Sequence, residues 1–377
     1  MRIILYELRK LLNWKLIGFL VLLSFLFYHM FLSTGFEYFP NGRPSGDHFK
    51  VSKQMIAEYG PEMDKKEFED FKVTYQEEVE KAGEYLKSHE GFSEAGIATY
   101  EEFRSFDRSS NPEVNELLGK VMFEEGVDIF WELQAREGII DFYAHNDERI
   151  FISDNIQDEE WKKEYVKNPS RHAILPNFVV ENFSNLITMV AILIVLSVMI
   201  IVGRVHIIDR KNNAITLQYT TKEGRNLFKK KMAASMVMAT IITTVYLFVF
   251  FLMYAQNETS EFFASSLYAF ETNYFWIDMT FLQYIIISVI GVYLLSLVAA
   301  AIATLISRIA VNYISLIGAH IPIAVLLILL MTQYLITRIF SHQYPVLLTI
   351  STYVALLVLA GSILFFRWKK EQKVDIV

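Results

Sequence analysis

The sequence predicts an all-α integral membrane protein with six transmembrane helices, an N-terminal interfacial amphipathic helix, and a helical extracellular domain inserted between spans one and two. Three observations predict it. The stretches 16–33, 186–202, 232–254, 281–305, 309–335 and 346–366 contain no Asp, Glu, Lys or Arg, and a bilayer core of ~30 Å asks for about 20 mainly apolar residues in a helix. Acid and base are segregated: 35–180 holds 32 Asp and Glu against 17 Lys and Arg, which leaves 10 acids and 18 bases for the rest of the chain. Within 35–180 the apolar residues recur at helical spacing. A soluble helical protein can bury one stretch of this length and hydrophobicity, but not six.

The first stretch follows Arg2, Arg9 and Lys10, as the h-region of a signal peptide would. Its apolar run is too long for one and no A-x-A-like site follows Ser33, so it reads as a retained anchor. Short cytoplasmic loops are enriched in Lys and Arg. The basic ends are 2–15, 204–231, the neighbourhood of Arg308, and 367–373, all on one side of a six-span chain. Both termini are therefore expected in the cytoplasm, with 35–180, 255–280 and 336–345 outside. The chain has no cysteine, so its external part has no disulfides to rely on, which fits a bacterial plasma membrane. The expected domains are 1–33 (interfacial helix and span one), 34–180 (acidic extracellular domain) and 181–377 (spans two to six with a cytosolic loop at 203–231).

In the acidic domain Phe68, Phe71, Tyr75, Val79, Ala82 and Leu86 form one apolar helix face, and after the Asn111-Pro112 breaker Val114, Leu117, Leu118, Val121 and Met122, then Ile129, Phe130 and Leu133, repeat it. Such stripes are core rather than ligand sites. Asp141, His145 and Glu148 share steps of four and three and invite comparison with a metal site, but no second His or Cys completes a usual first shell and a solvated helix face explains them equally. No metal, cofactor or catalytic group is expected.

The loop RVHIIDRKNNAITLQYTTKEGRNLFKKKM, 204–232, packs eight bases against only Asp209 and Glu223. Lys229 to Lys231 would serve as a topology signal at the membrane edge. Ala214, Ile215, Leu217 and Tyr219 form a short apolar patch beside Gln218, and Thr220 stands three residues before Glu223, the capping-box spacing that starts a new helix. The loop therefore reads as helix, break, helix, a device suited to docking a soluble partner. At the N-terminus Ile4, Leu5, Leu8, Leu11 and Leu12 form an apolar stripe opposite Arg2, Arg9 and Asn13, which predicts a helix lying along the membrane surface before span one.

With six spans, a start reading YELRKLL and a first cytosolic loop reading DRKNNAITLQYTTKEGRNLFKKK, the chain resembles the permease subunits of bacterial type 2 ABC exporters. The resemblance covers the layout of the membrane part, and its specific motif is the loop. It places Asp209 where the family usually has Glu, Arg210 and Lys211 as a basic pair, and Asn213 where Gly is frequent. It makes Ala214 to Tyr219 the coupling helix that seats on an ATPase subunit, and it puts Thr220 and its neighbours where many members have Pro, with Glu223 and Arg225 leading into span three. Asn is the non-Gly residue most tolerant of positive φ.

The chain carries no G-x-x-x-x-G-K-[ST] phosphate loop, so it is not expected to be an enzyme; the resemblance implies that ATP and Mg are bound by a separate nucleotide-binding ATPase subunit. A second permease copy or a related permease, and the lipid bilayer, are the other expected partners; nucleic acid is not. The implied function is export of a substrate, a cationic antimicrobial peptide drawn by the acidic surface, a drug or a lipid-like molecule. A sodium exporter of the same family shares every feature, and a membrane-anchored sensor or assembly module that docks a cytosolic partner without transport is the reading from another class. Inside the spans the polar handles are Thr240, Thr243, Thr244, Asn312, His320 and Gln333. His320 is the candidate for intramembrane function, with binding of a backbone carbonyl freed by Pro322 as its structural role.

Overall fold

The structure is a computed structural model that describes residues 2–107, 109, 111–152, 158–220, 224–272 and 275–372, with the backbone alone at 151, 152, 215, 216, 219 and 225. Among these residues the chain is helical apart from turns and two isolated β-bridges. It divides into two compact units: Met1–Glu37, Glu181–Glu258 and Leu282–Val377 form the first, and Tyr38–Val180 with Thr259–Phe281 the second.

The first unit holds six helices long and apolar enough to cross a membrane: Trp14–Glu37, Asn177–Lys211, Leu227–Asn257, Phe281–Ile309, Tyr313–Leu335 and Val346–Glu371. This is the layout of a multi-pass membrane protein. Each helix but the fifth runs beyond its charge-free stretch, because polar flanks continue the backbone ladder where they meet water or one another. Span five begins at Tyr313 rather than at 309: Ile309 closes span four, and Asn312 starts a new helix by accepting from Ser315 N (2.9 Å) while Ser315 Oγ accepts from Asn312 N (3.2 Å). Span two is the centre, with 83% of its most apolar window buried against 11% for spans one and six. Ala299, Ala300 and Ala303 of span four are fully buried, where small side chains let helices approach closely.

At the end of the unit away from the basic residues, one backbone carbonyl ties three spans together. Gly35 O accepts from Asn182 Nδ2 (2.9 Å) and from Asn257 Nδ2 (3.1 Å), and Asn257 also donates to Asn182 Oδ1 (2.9 Å). A Cβ at residue 35 would meet Leu186 Cδ2 at 2.8 Å and Asn182 Nδ2 at 3.4 Å, so any larger residue there must displace the Leu186 side chain beside the knot. The span polar groups Thr240, Thr243 and Thr244 donate to carbonyls four residues back, Thr244 Oγ1 also lies 2.8 Å from Tyr293 Oη of span four, and Gln333 accepts from Tyr344 Oη.

In the second unit the helix Lys65–Ser88 starts at a capping box, Asp64 with Glu67, and buries Phe68, Phe71, Ala82 and Leu86 along the expected face. Asn111 caps Pro112–Phe123 with Pro112 in the first turn. One core gathers Leu86, Phe92, Leu118, Phe130 and Trp131, with Phe103 stacked on Phe130 at 4.1 Å; a second gathers Val51, Met55, Met63, Ile139 and Tyr143.

The second unit also takes in Thr259–Phe281, which overlaps the stretch 255–280 read from the sequence as a separate external loop. Phe270 enters the second core, Tyr268 Oη accepts from Trp161 Nε1 (3.0 Å) and Tyr268 O from Tyr165 Oη (2.9 Å). His48 meets Glu271 at 2.9 Å. Burial alone would push the His48 imidazole pKa down, but the charge and hydrogen bond of Glu271 more than offset it and leave the pKa above 6.5. Charged His48 is thus favoured on folding, so this contribution is fully present below pH 6.5 and is lost as pH rises through the folded value. Melting curves of the chain should show this unit weakening over that upper window, and Glu271→Gln should flatten the slope; an unchanged slope would show that the pair carries no charge.

Candidate functional site

The site is a buried ionic hub at the basic end of the first unit, with the loop helix attached to it. Span two ends in the short helix Ile207–Lys211; the chain then breaks at Asn212 and Asn213, forms the short helix Ala214–Tyr219, and passes through Gly224–Asn226 into span three. Asn213 has φ 51, the left-handed conformation that Asn tolerates better than other non-Gly residues. Ile207 is buried in a small cluster with Ala310 and Leu316, which fixes the base of the loop against the junction of spans four and five.

From that base Asp209 points inward and is 4% exposed. Lys10 of the N-terminal helix Arg2–Leu11 donates to both its oxygens, at 2.9 and 3.0 Å, and Lys231 of span three pairs with Oδ2. Lys10 also pairs with Glu7 one turn back, and Lys231 donates to Gln218 Oε1 (3.2 Å). Two carboxylates and two ammonium groups thus form a cluster of formal charge zero, as burial demands: an unpaired ion taken out of water costs several kcal/mol. Lys231, read from the sequence as one of three basic residues at the membrane edge, is 3% exposed and serves as a counter-ion of Asp209. Its neighbour Lys229 lies over the Trp368 ring at 5.3 Å.

A second set of charges continues from Arg210. Its guanidinium donates to Ala310 O and to Arg308 O (3.1 Å), closing the exposed carbonyls at the end of span four. Arg308 then makes a fork to Glu371 at the end of span six, Nε at 2.8 Å and Nη2 at 3.0 Å, and Arg367 joins the same carboxylate at 2.8 Å. Beside them His206 N donates to Ser307 Oγ (3.0 Å) and its ring stacks on Phe228 at 5.7 Å. The loop base is therefore bonded to the N-terminal helix and to the ends of spans three and four, and through Arg308 to span six.

The tip is different. Leu217 is 71% exposed, Lys211, Asn212, Asn213 and Thr220 are exposed, and Ala214 and Gln218 are half-buried. The side chains of Ile215, Tyr219 and Arg225 lie outside the described residues, as does Glu223, so the expected capping box falls outside them; Thr220 Oγ1 donates to Leu217 O (2.9 Å). The N-terminal stripe is also split. Leu11 and Glu7 are buried, Leu8 is half-buried, and Leu5, Leu12 and Arg9 are exposed. One edge of the helix packs along the start of span three, where the Glu7–Lys10–Asp209 bonds turn inward, and Leu5 and Leu12 stay uncovered by the rest of the chain.

His320, on span five, is half-buried against Gly203, where a Cβ would meet His320 Cε1 at 2.4 Å and Met199 O at 2.6 Å. Its Nε2 is buried without a hydrogen-bond partner, so the expected bond to a carbonyl freed by Pro322 is not made through that atom, and His320 acts as the side chain packed into the space of Gly203. In the second unit Asp141 is taken by His145 Nδ1 (2.9 Å) and Arg149 Nη2 (2.5 Å), and Asp141, His145 and Glu148 do not converge; no group of three metal-ligating side chains occurs among the described residues. Sequence reasoning singled out Asp209 but not Glu7, Lys10, His206, Arg308 or Glu371. The signal for the hub was Asp209 itself, one of only two acids among eight bases. No family model, curated protein or solved structure matches the chain.

Proposed function

We propose that the chain is the membrane permease subunit of a bacterial ABC exporter, with the basic end in the cytoplasm and ATP hydrolysed by a separate nucleotide-binding subunit that seats on Ala214–Tyr219. The observation that carries this reading is the pairing of an exposed apolar side chain, Leu217, with a loop base anchored by buried charges to several span ends. An exposed Leu on a mobile loop would transmit little; on a base bonded to the N-terminal helix and to spans three and four, a push on the tip moves those elements together. The acidic second unit faces outside the cell in this reading, and its charge favours a cationic substrate at long range. The test is a photo-crosslinker on the loop tip, which should capture the ATPase subunit in membranes that contain one.

A further inference from the structure

The membrane unit contains an apolar cavity of about 270 Å³ between spans one, two and three, lined among others by Ser24, Tyr28, Leu193, Tyr246, Val249 and Phe250. Span one makes a π-turn at Tyr28–Leu32, beside the cavity. Such a turn inserts an extra residue and is frequent where a helix lines a site.

Three polar side chains line the cavity, and all three are committed elsewhere. Ser24 Oγ lies 2.7 Å from Leu20 O and 2.8 Å from Tyr246 Oη, Tyr246 Oη lies 3.1 Å from Ser197 Oγ, and Tyr28 Oη donates to Glu37 Oε1 at 3.1 Å. Water needs two to four polar partners to stay in a cavity, and dry apolar cavities of roughly half this size take up small hydrocarbons. The lining residues Phe25 and Val249 are 58% and 49% exposed, so the cavity opens on the side that lipid covers. At its rim the Tyr28 hydroxyl leads to the exposed carboxylate of Glu37, the last residue of span one.

We propose that this cavity binds one alkyl chain of a membrane-borne amphiphile whose head carries an ammonium group, with the head on Glu37. The apolar walls choose the tail, and the carboxylate at the rim complements the charge of the head. The site stands on its lining and its rim and does not rest on the exporter reading; it would hold for a passenger or for a structural lipid alike.

The test uses the full chain in nanodiscs of phosphatidylglycerol, whose head carries no ammonium group to compete, with two probes, an alkylamine and the matching alkyl alcohol, each carrying a diazirine in its tail, read by mass spectrometry of labelled peptides. The amine should label the peptides around Leu193 and Val249 in preference to the outward face of span five, which is the internal reference. Glu37→Gln, at an exposed position, should lower amine labelling of the cavity severalfold and leave labelling by the alcohol unchanged. Val249→Trp, placed at the lipid-facing rim so that the core is undisturbed, should abolish cavity labelling by both probes. Labelling spread evenly over spans two, three and five, persistence in Val249→Trp, or amine labelling indifferent to Glu37→Gln would overturn the proposal.

Discussion

Replacing Asp209 with Asn is expected to destabilise the membrane unit more than any other conservative change at the basic end. The substitution keeps the shape but removes one of two negative charges from a cluster that also holds Lys10 and Lys231, with the Lys231 and Asp209 side chains only 4% and 5% exposed. Taking one partner from a buried pair leaves the other as an uncompensated ion, which costs about 3–5 kcal/mol, whereas replacing both members with groups of similar volume is often near neutral. Asp209→Asn should therefore lower the melting temperature of the detergent-solubilised chain and open the amides of Arg2–Leu11 to exchange, while Asp209→Asn with Lys231→Met, which leaves Glu7 and Lys10 as a balanced pair, should recover most of the loss. If the double variant were as unstable as the single one, the cluster would not be held together by charge balance.

The second large effect is expected at Leu217, and on function instead of folding. Leu217 is 71% exposed, so Leu217→Asp removes little contact within the chain and should leave yield, insertion and melting temperature nearly unchanged. If the side chain fills a pocket on a soluble subunit, burying it contributes about 1.5–3 kcal/mol, and the substitution should weaken association roughly ten- to a hundredfold or more. Pull-down of the ATPase and ATP turnover coupled to the reconstituted complex both read this. Unchanged association would remove Leu217 from the interface.

How much of this was legible before the structure differs from element to element. The six spans were, because a run of 17 or more residues without a charge has few places to be except in a bilayer or deep in a core. The long helix of the second unit was, because Phe68, Phe71, Tyr75, Val79, Ala82 and Leu86 repeat at three and four. Thr259–Phe281 was not: Phe262, Leu267 and Phe270 are buried, but in a stretch of turns and a 3₁₀ segment they follow no period that assigns them to a partner.

At the site, Asn213 could be singled out as a residue suited to a left-handed turn, and Asp209 as an acid in a basic loop. The bonds that make Asp209 important join residues 199 positions apart in one case and 22 in the other. A Lys at position 10 or 231 looks the same in sequence whether it marks a membrane edge or neutralises a buried carboxylate. Burial makes the difference, and burial at those positions is set by the packing of the N-terminal helix on span three, which local periodicity does not encode.

If the loop tip is a contact surface for a soluble ATPase, a probe placed on it must lie within reach of that subunit. Gln218 already accepts a bond from Lys231, so the probe belongs at Thr220, which is exposed at the end of the loop helix. The competing cover is the membrane surface itself, since a short apolar segment near Lys229 and Lys230 can lie on anionic lipid. With a photo-crosslinker at Thr220, in native membranes that hold a nucleotide-binding subunit, a covalent adduct with that subunit is expected, and Leu217→Asp should abolish it. Adducts with lipid alone, in the presence of the subunit, would contradict the account.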